Sequence, residues 1–170
     1  MKIFLVGYMG SGKSKTGEAL ARIFHYSFMD TDSLVEAREK KSVSGIFREN
    51  GEDYFRIAET EVLHELEPVK NVVIATGGGL PCFHGNMEWM NSQGITVYLE
   101  ANDGLLFHRL VRSKEGRPLI ENLSDVELME QISMNIVVRK PFYKKAMITV
   151  GAASLDIKLL AQAIKKYKPA

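Results

Sequence analysis

The stretch Leu5–Leu20, LVGYMGSGKSKTGEAL, decides how the rest of the chain is read. It runs from apolar residues through Gly7, Gly10 and Gly12 to Lys13 and Ser14, then into residues at helical spacing. One glycine would be enough to turn a strand into a helix. Gly7, Gly12, Lys13 and Ser14 fit the pattern G-x-x-x-x-G-K-[ST] without a gap. Glycines there let the backbone aim successive N–H groups inward, and the missing side chains let phosphate oxygens approach. A helix starting near Lys13 adds its unpaired N–H groups and the positive end of its dipole. Lys13 is placed to reach the outer phosphates and the Ser14 hydroxyl to ligate Mg²⁺. The stretch implies a nucleotide site and leaves the reaction open.

Outward from that loop, short apolar runs alternate with longer amphipathic ones. IFLV (3–6), YSFMD (26–30), NVVIAT (71–76), ITVYLE (95–100) and AMITV (146–150) are expected strands. Their continuous apolarity suits a parallel sheet buried on both faces. Helices are expected over 13–25, 32–40, 52–66, 103–112, 124–140 and 155–167. The alternation predicts a three-layer, doubly wound α/β fold with right-handed crossovers. About forty residues between the second and third expected strands leave room for two or three helices rather than one crossover. The polar run SKEGRPLIEN (113–122) has no clear period and reads as a loop or flap.

The bulk numbers exclude more than they assign. The chain has 170 residues, 45% hydrophobic and 25% charged, with 22 Lys plus Arg against 21 Asp plus Glu. That balance lacks the bulk basicity of a dedicated nucleic-acid binder, and the length favours a single domain. Cys82 is the single cysteine, which rules out an intramolecular disulfide and points to a reducing compartment. The apolar run at the N-terminus is too short for a signal peptide, and no stretch has the ~18 apolar residues of a membrane span. A soluble, cytoplasmic, monomeric protein is expected, without membrane or nucleic-acid partners.

A nucleotide site needs a metal carboxylate. The third strand ends in Thr76 and Gly77–Gly79 instead, so the acids of MDTD, Asp30 and Asp32, are the candidates. Both lie at the carboxyl end of the second strand, where open parallel sheets gather ligands. Taken alone, DTD reads equally well as a helix cap with an acidic first turn. Gly77, Gly78 and Gly79 suggest a second close backbone approach to a ligand. Arg56 has Glu59 one turn later, Arg117 sits in the polar flap, and Arg139 sits near the end of a long helix. Guanidinium forks suit carboxylate and phosphate oxygens, so these arginines imply an anionic acceptor.

GYMGSGKS, DTD, FR..E, TGGG, RPL and R.PFY, in this order and approximate spacing, resemble shikimate kinases. The resemblance covers almost the whole chain. It implies a P-loop kinase fold like that of nucleoside monophosphate kinases: a five-stranded parallel sheet flanked by helices, with a substrate-binding helical insert at about 31–66 and a lid at about 113–122. It further implies transfer of the γ-phosphoryl of MgATP to the 3-hydroxyl of shikimate, a step toward chorismate and the aromatic amino acids. By position, Gly10, Ser11, Gly12, Lys13, Ser14 and Lys15 would wrap the ATP phosphates, with Ser14 and Asp30 on Mg²⁺. Asp32 would bind shikimate hydroxyls and serve as the base. Arg56 and Arg139 would hold the shikimate carboxylate beside the backbone of Gly77, Gly78 and Gly79, and Arg117 would meet the phosphates from the lid. Lys13, Asp32 and Arg117 form the expected catalytic set.

Some positions depart from the family pattern. Lys15 replaces a small hydroxyl residue, Lys145 an acidic one, and GAASLD lacks the basic residue that often touches adenine. Either Arg109 or Arg112 is left to face adenine. His25, His64, His84 and His108 share no metal-like spacing, and Trp89 with its Met neighbours reads as core. Two alternatives stay open here: a kinase of another small hydroxy acid such as gluconate, and a non-catalytic nucleotide-binding module.

Overall fold

The computed structural model describes residues 1–113, 120 and 122–167. Five parallel strands form one sheet: β1 (Lys2–Val6), β2 (Ser27–Asp30), β3 (Val72–Ala75), β4 (Ile95–Glu100) and β5 (Ile148–Gly151), in the order β2-β3-β1-β4-β5. The chain leaves β1 for β2 and β3 on one side, then crosses to β4 and β5 on the other. Connections diverge at the carboxyl end of β1, the switch point where such sheets open a ligand crevice.

The helices are α1 (Lys13–Phe24), α2 (Thr31–Glu39), α3 (Val43–Glu65), α4 (Asn86–Gln93), α5 (Asp103–Val111), α6 (Asp125–Tyr143) and α7 (Ile157–Lys166). Alternate strand residues point to opposite layers, which splits the core in two. Phe4, Val6, Ile74 and Tyr98 face Leu63 of α3, Met87 and Met90 of α4, Leu106 of α5 and Ile132 of α6. Ile3, Leu5, Val73 and Val97 face Leu20 of α1 and Leu160 and Ile164 of α7. A third, smaller cluster of Val35, Ile46, Phe55 and Val62 packs α2 against α3. Among the described residues no helix is long and apolar enough to cross a membrane.

The five expected strands form, with ends shifted by one or two residues, as at 148–151 instead of 146–150. Three helical features differ from expectation. Helix α3 starts at Val43 rather than near residue 52, because Ser42 caps it (Gly45 N–H to Ser42 Oγ, 3.2 Å) and Ile46 is buried. Gly51, at φ 83° and ψ 175°, breaks this helix into two halves. Helix α4 was not among the expected helices, although Trp89 and its Met neighbours stand at helical spacing; Met87 and Met90 are fully buried there and Trp89 packs edge-on to Phe4. Helix α6 continues through Pro141 to Tyr143, whose buried ring anchors the last turn. Proline removes one ladder bond, and the orphaned carbonyl belongs to Val137, on the exposed side of the helix.

Candidate active site

The loop between β1 and α1 is held from both sides. Gly12 caps α1 at φ 99° and ψ 19°, left-handed backbone that costs a side-chain-bearing residue about 1–2 kcal/mol. Lys13 Nζ donates to the carbonyls of Gly7 (2.7 Å) and Tyr8 (3.0 Å). Arg109 of α5, itself at the cleft, donates to Gly10 O (3.0 Å) and Ser11 O (3.1 Å), and its other terminal nitrogen to Ala152 O (3.2 Å). With those carbonyls tied to a guanidinium, the loop path is fixed before any ligand arrives.

Asp30 ends β2 and caps α2. Its Oδ1 accepts from Asp32 N–H (3.1 Å), and its Oδ2 accepts from the Ser14 hydroxyl (3.0 Å). A hydroxyl and a carboxylate thus meet at the mouth of the loop, hard oxygen donors of the kind Mg²⁺ takes. Among the described residues no group of three or more His, Cys, Asp or Glu gathers as a metal cage. Sparse protein ligation fits an ion that keeps waters and binds substrate phosphates. Asp32 is half-buried, and its carboxyl is pushed up to about 6, first by burial and then by the neighbouring Asp30 charge.

Arg56 on α3 is buried and doubly paired. It donates to Glu59 Oε2 (2.6 Å) and, through Nε and a terminal nitrogen, to Glu52 Oε1 (3.1 and 2.8 Å). Its guanidinium carbon lies 4.6 Å from the Phe83 ring centroid and 5.3 Å from that of Phe55. Glu59 is only 1% exposed, and its Oε1 has no hydrogen-bond partner among the described residues. Burial raises its carboxyl to about 7, against the lowering effect of Arg56, and Asp32 adds to the rise.

The glycine run explains itself by contact. A Cβ on Gly77 would lie 2.5 Å from both Asp32 Oδ1 and Glu59 Oε1, so these two oxygens are no more than about 5 Å apart. A Cβ on Gly79 would sit 2.5 Å from a nitrogen of Arg56. The buried Thr31 hydroxyl accepts from Gly77 N–H (2.8 Å), and Tyr143 donates to Gly78 O (2.6 Å). Arg139 of α6 lies over the Tyr8 ring, 5.5 Å from its centroid, and close to Gly78. A cleft of about 1170 Å³ runs between the two groups, lined by Lys13, Ser14, Asp30, Asp32, Gly78 and Arg109 among others.

The family model for shikimate kinase matches residues 9–168. The chain belongs to the shikimate kinase family. A shikimate kinase of Phocaeicola vulgatus is 46% identical over 162 residues, 95% of this chain and 93% of that one. The crystal structure of the Bacteroides thetaiotaomicron shikimate kinase superposes with a TM-score of 0.90 at 42% identity, covering 98% of this chain and 97% of that one. The Acinetobacter baumannii shikimate kinase, solved in complex with shikimate, gives 0.86 at 34% identity, covering 97% and 90%.

Lys13, Ser14, Asp30, Asp32, Arg56, Gly77–Gly79 and Arg139 therefore converge at one end of this shikimate kinase family sheet, as their order in the sequence suggested. Lys15 is exposed and lines the cleft, while Arg117 lies outside the described residues. Lys145, one of the departures, pairs with Glu88 at 2.5 Å and so fastens the end of α6 to α4. Sequence reading missed the second carboxylate on Arg56, although Glu52 stands four residues before it, a spacing that brings helical side chains together. It also missed the Arg109 clamp on the loop, which no local pattern announces.

Proposed function

We propose that the protein transfers the γ-phosphoryl of MgATP to the 3-hydroxyl of shikimate. The observation that supports this most directly is a cleft lined by the phosphate loop, Asp32 and Gly78, with Arg56 packed against Gly79 and Arg139 close to Gly78 at its edge. Membership of the shikimate kinase family names the acceptor.

In this reading the backbone N–H groups from Gly10 to Lys15 and the Lys13 ammonium bind the ATP phosphates, and Lys13 neutralises charge on the group in transfer. Ser14 and Asp30 would hold Mg²⁺, whose positive charge would offset that of the phosphates. Asp32 accepts a hydrogen bond from the acceptor hydroxyl and takes its proton as the new O–P bond forms and the bond from the γ-phosphorus to the bridging oxygen breaks, releasing ADP. A carboxyl near 6 is ionised at neutral pH and still basic enough for that work. Arg56 and Arg139 hold the acceptor carboxylate, with Glu52 and Glu59 fixing the Arg56 fork. Arg117, outside the described residues, keeps the role toward the phosphates that the family resemblance implies. The chain acts as one monomeric cytoplasmic domain, with residues 31–66 as the acceptor-side insert and 113–122 as the lid.

The test is a coupled ADP-release assay with a panel of hydroxy acids. Mg²⁺- and shikimate-dependent ADP formation is expected. No turnover with shikimate, or preferred turnover of gluconate, overturns the assignment.

A further inference from the structure

Tyr8 sits inside the phosphate-loop stretch, yet its side chain serves the other half of the cleft. Its ring is 2% exposed and packs in the core layer beneath α6. The Arg139 guanidinium lies over the ring face, 5.5 Å from the centroid. One turn earlier on α6, Asn135 Nδ2 donates to the Tyr8 hydroxyl at 3.4 Å. Meanwhile the Tyr8 carbonyl accepts from Lys13 Nζ (3.0 Å) and from Ser11 N–H (3.1 Å). A single residue thus touches the lysine that faces ATP through its backbone and the arginine that faces the acceptor through its ring.

We infer that Tyr8 is a positioning residue for the acceptor carboxylate, its aromatic face setting where Arg139 stands relative to the phosphate loop. The inference rests on the proposed function, since it takes Arg139 as a carboxylate ligand. A ring face attracts a cation through its quadrupole, and the attraction grows when water is excluded, as it is around a buried ring. An aliphatic side chain would keep the site apolar but remove the ring face from beneath the guanidinium, leaving Arg139 with Tyr143 alone of the two tyrosines. The backbone contacts to Lys13 and Ser11 do not depend on the side chain, so nucleotide binding should not register the change. Tyr143 holds Gly78 by its hydroxyl from the same helix end, so Arg139 stands between two tyrosines, of which only Tyr8 belongs to the loop.

The experiment compares wild type, Tyr8→Leu and Tyr8→Phe in steady-state kinetics for both substrates, with calorimetric titration of shikimate into the nucleotide-free protein. Loss of a partly desolvated cation–ring contact should raise the shikimate KM and Kd about 3- to 30-fold in Tyr8→Leu. The ATP KM should stay unchanged, and Tyr8→Phe, which keeps the ring, should bind shikimate like wild type. Circular dichroism checks the fold, and if Tyr8→Leu unfolds, Tyr8→Met replaces it under the same criteria. An unchanged shikimate Kd overturns the inference, as does an equal rise in both KM values or a loss in Tyr8→Phe as large as in Tyr8→Leu. Wild type that turns over shikimate while Tyr8→Leu is unaffected refutes only the role of Tyr8. Wild type that neither binds nor phosphorylates shikimate refutes the proposed function, and the inference falls with it.

Discussion

Replacing Glu59 by Gln should stabilise the protein at alkaline pH, although Glu59 is one of two carboxylates on Arg56. The side chain is 1% exposed, its Oε1 has no hydrogen-bond partner among the described residues, and Asp32 Oδ1 lies within about 5 Å across Gly77. Its carboxyl stands at about 7 in the fold against a reference of 4.5. A carboxyl raised in the folded state makes its full contribution when protonated, and stability is lost as pH rises from about 4.5 through about 7. Linkage over that interval amounts to about 3 kcal/mol by pH 8, of which about 2 kcal/mol appears between pH 5 and pH 8. Gln keeps a carbonyl for the Arg56 bond and brings an amide donor toward Asp32. Arg56 keeps Glu52 as a charge partner, so no buried cation is orphaned. Urea unfolding of both proteins at pH 5 and pH 8 measures the effect. The variant should gain on wild type as pH rises, by about 2 kcal/mol across the interval. A variant less stable than wild type at pH 8, or a difference that does not change with pH, refutes the reasoning.

Lys13→Ala should lower turnover by about 10³-fold or more while circular dichroism stays native, because the ammonium stabilises charge gathered only in the transition state. Asp30→Asn should raise the Mg²⁺ concentration needed for half-maximal rate, whereas Asp32→Asn should lower kcat about 10²-fold. Wild-type kcat should fall as pH drops through about 6, where Asp32 takes up its proton, and the Asn variant should lose that limb. Arg109→Ala removes charge-assisted bonds to Gly10, Ser11 and Ala152, and should raise the ATP KM about 10-fold with shikimate binding to the nucleotide-free protein unchanged.

What was legible in the sequence is what local chemistry writes there. The loop at Gly7–Ser14 announces itself because phosphate contact requires consecutive residues, and the five apolar runs because both sheet faces are buried. The candidate site was readable through Asp30, Asp32, Arg56 and Gly77–Gly79 because each sits at or beside a strand end or one helical turn. Other features depend on partners distant in the chain. Arg109 reaches a loop about a hundred residues earlier, and nothing in the sequence around Arg109 announces that contact. The first half of α3 was missed because Val43 and Gly45 are weak helix formers, and the segment is kept helical by the Ser42 cap and the burial of Ile46. Helix α6 outran its expected end since Pro141 reads as a stop, while Tyr143 is secured by a contact to Gly78 that no window of sequence contains.

The break at Gly51 divides a rod that would otherwise act as a lever. Ser42, Val43 and Ser44 at the start of α3 line the cleft, while Arg56 and Glu59 belong to the half beyond the break. An unbroken helix would hand any twist imposed at its first turn straight to Arg56. With the hydrogen-bond ladder interrupted, the two halves share packing through Phe47 and Phe55 but not a common axis. The first half still reaches Arg56 through the Phe47 ring, 5.8 Å from the guanidinium carbon, so a shift there passes through side-chain packing rather than along the backbone. The guanidinium takes its position from the half of the helix that carries Glu52 and Glu59.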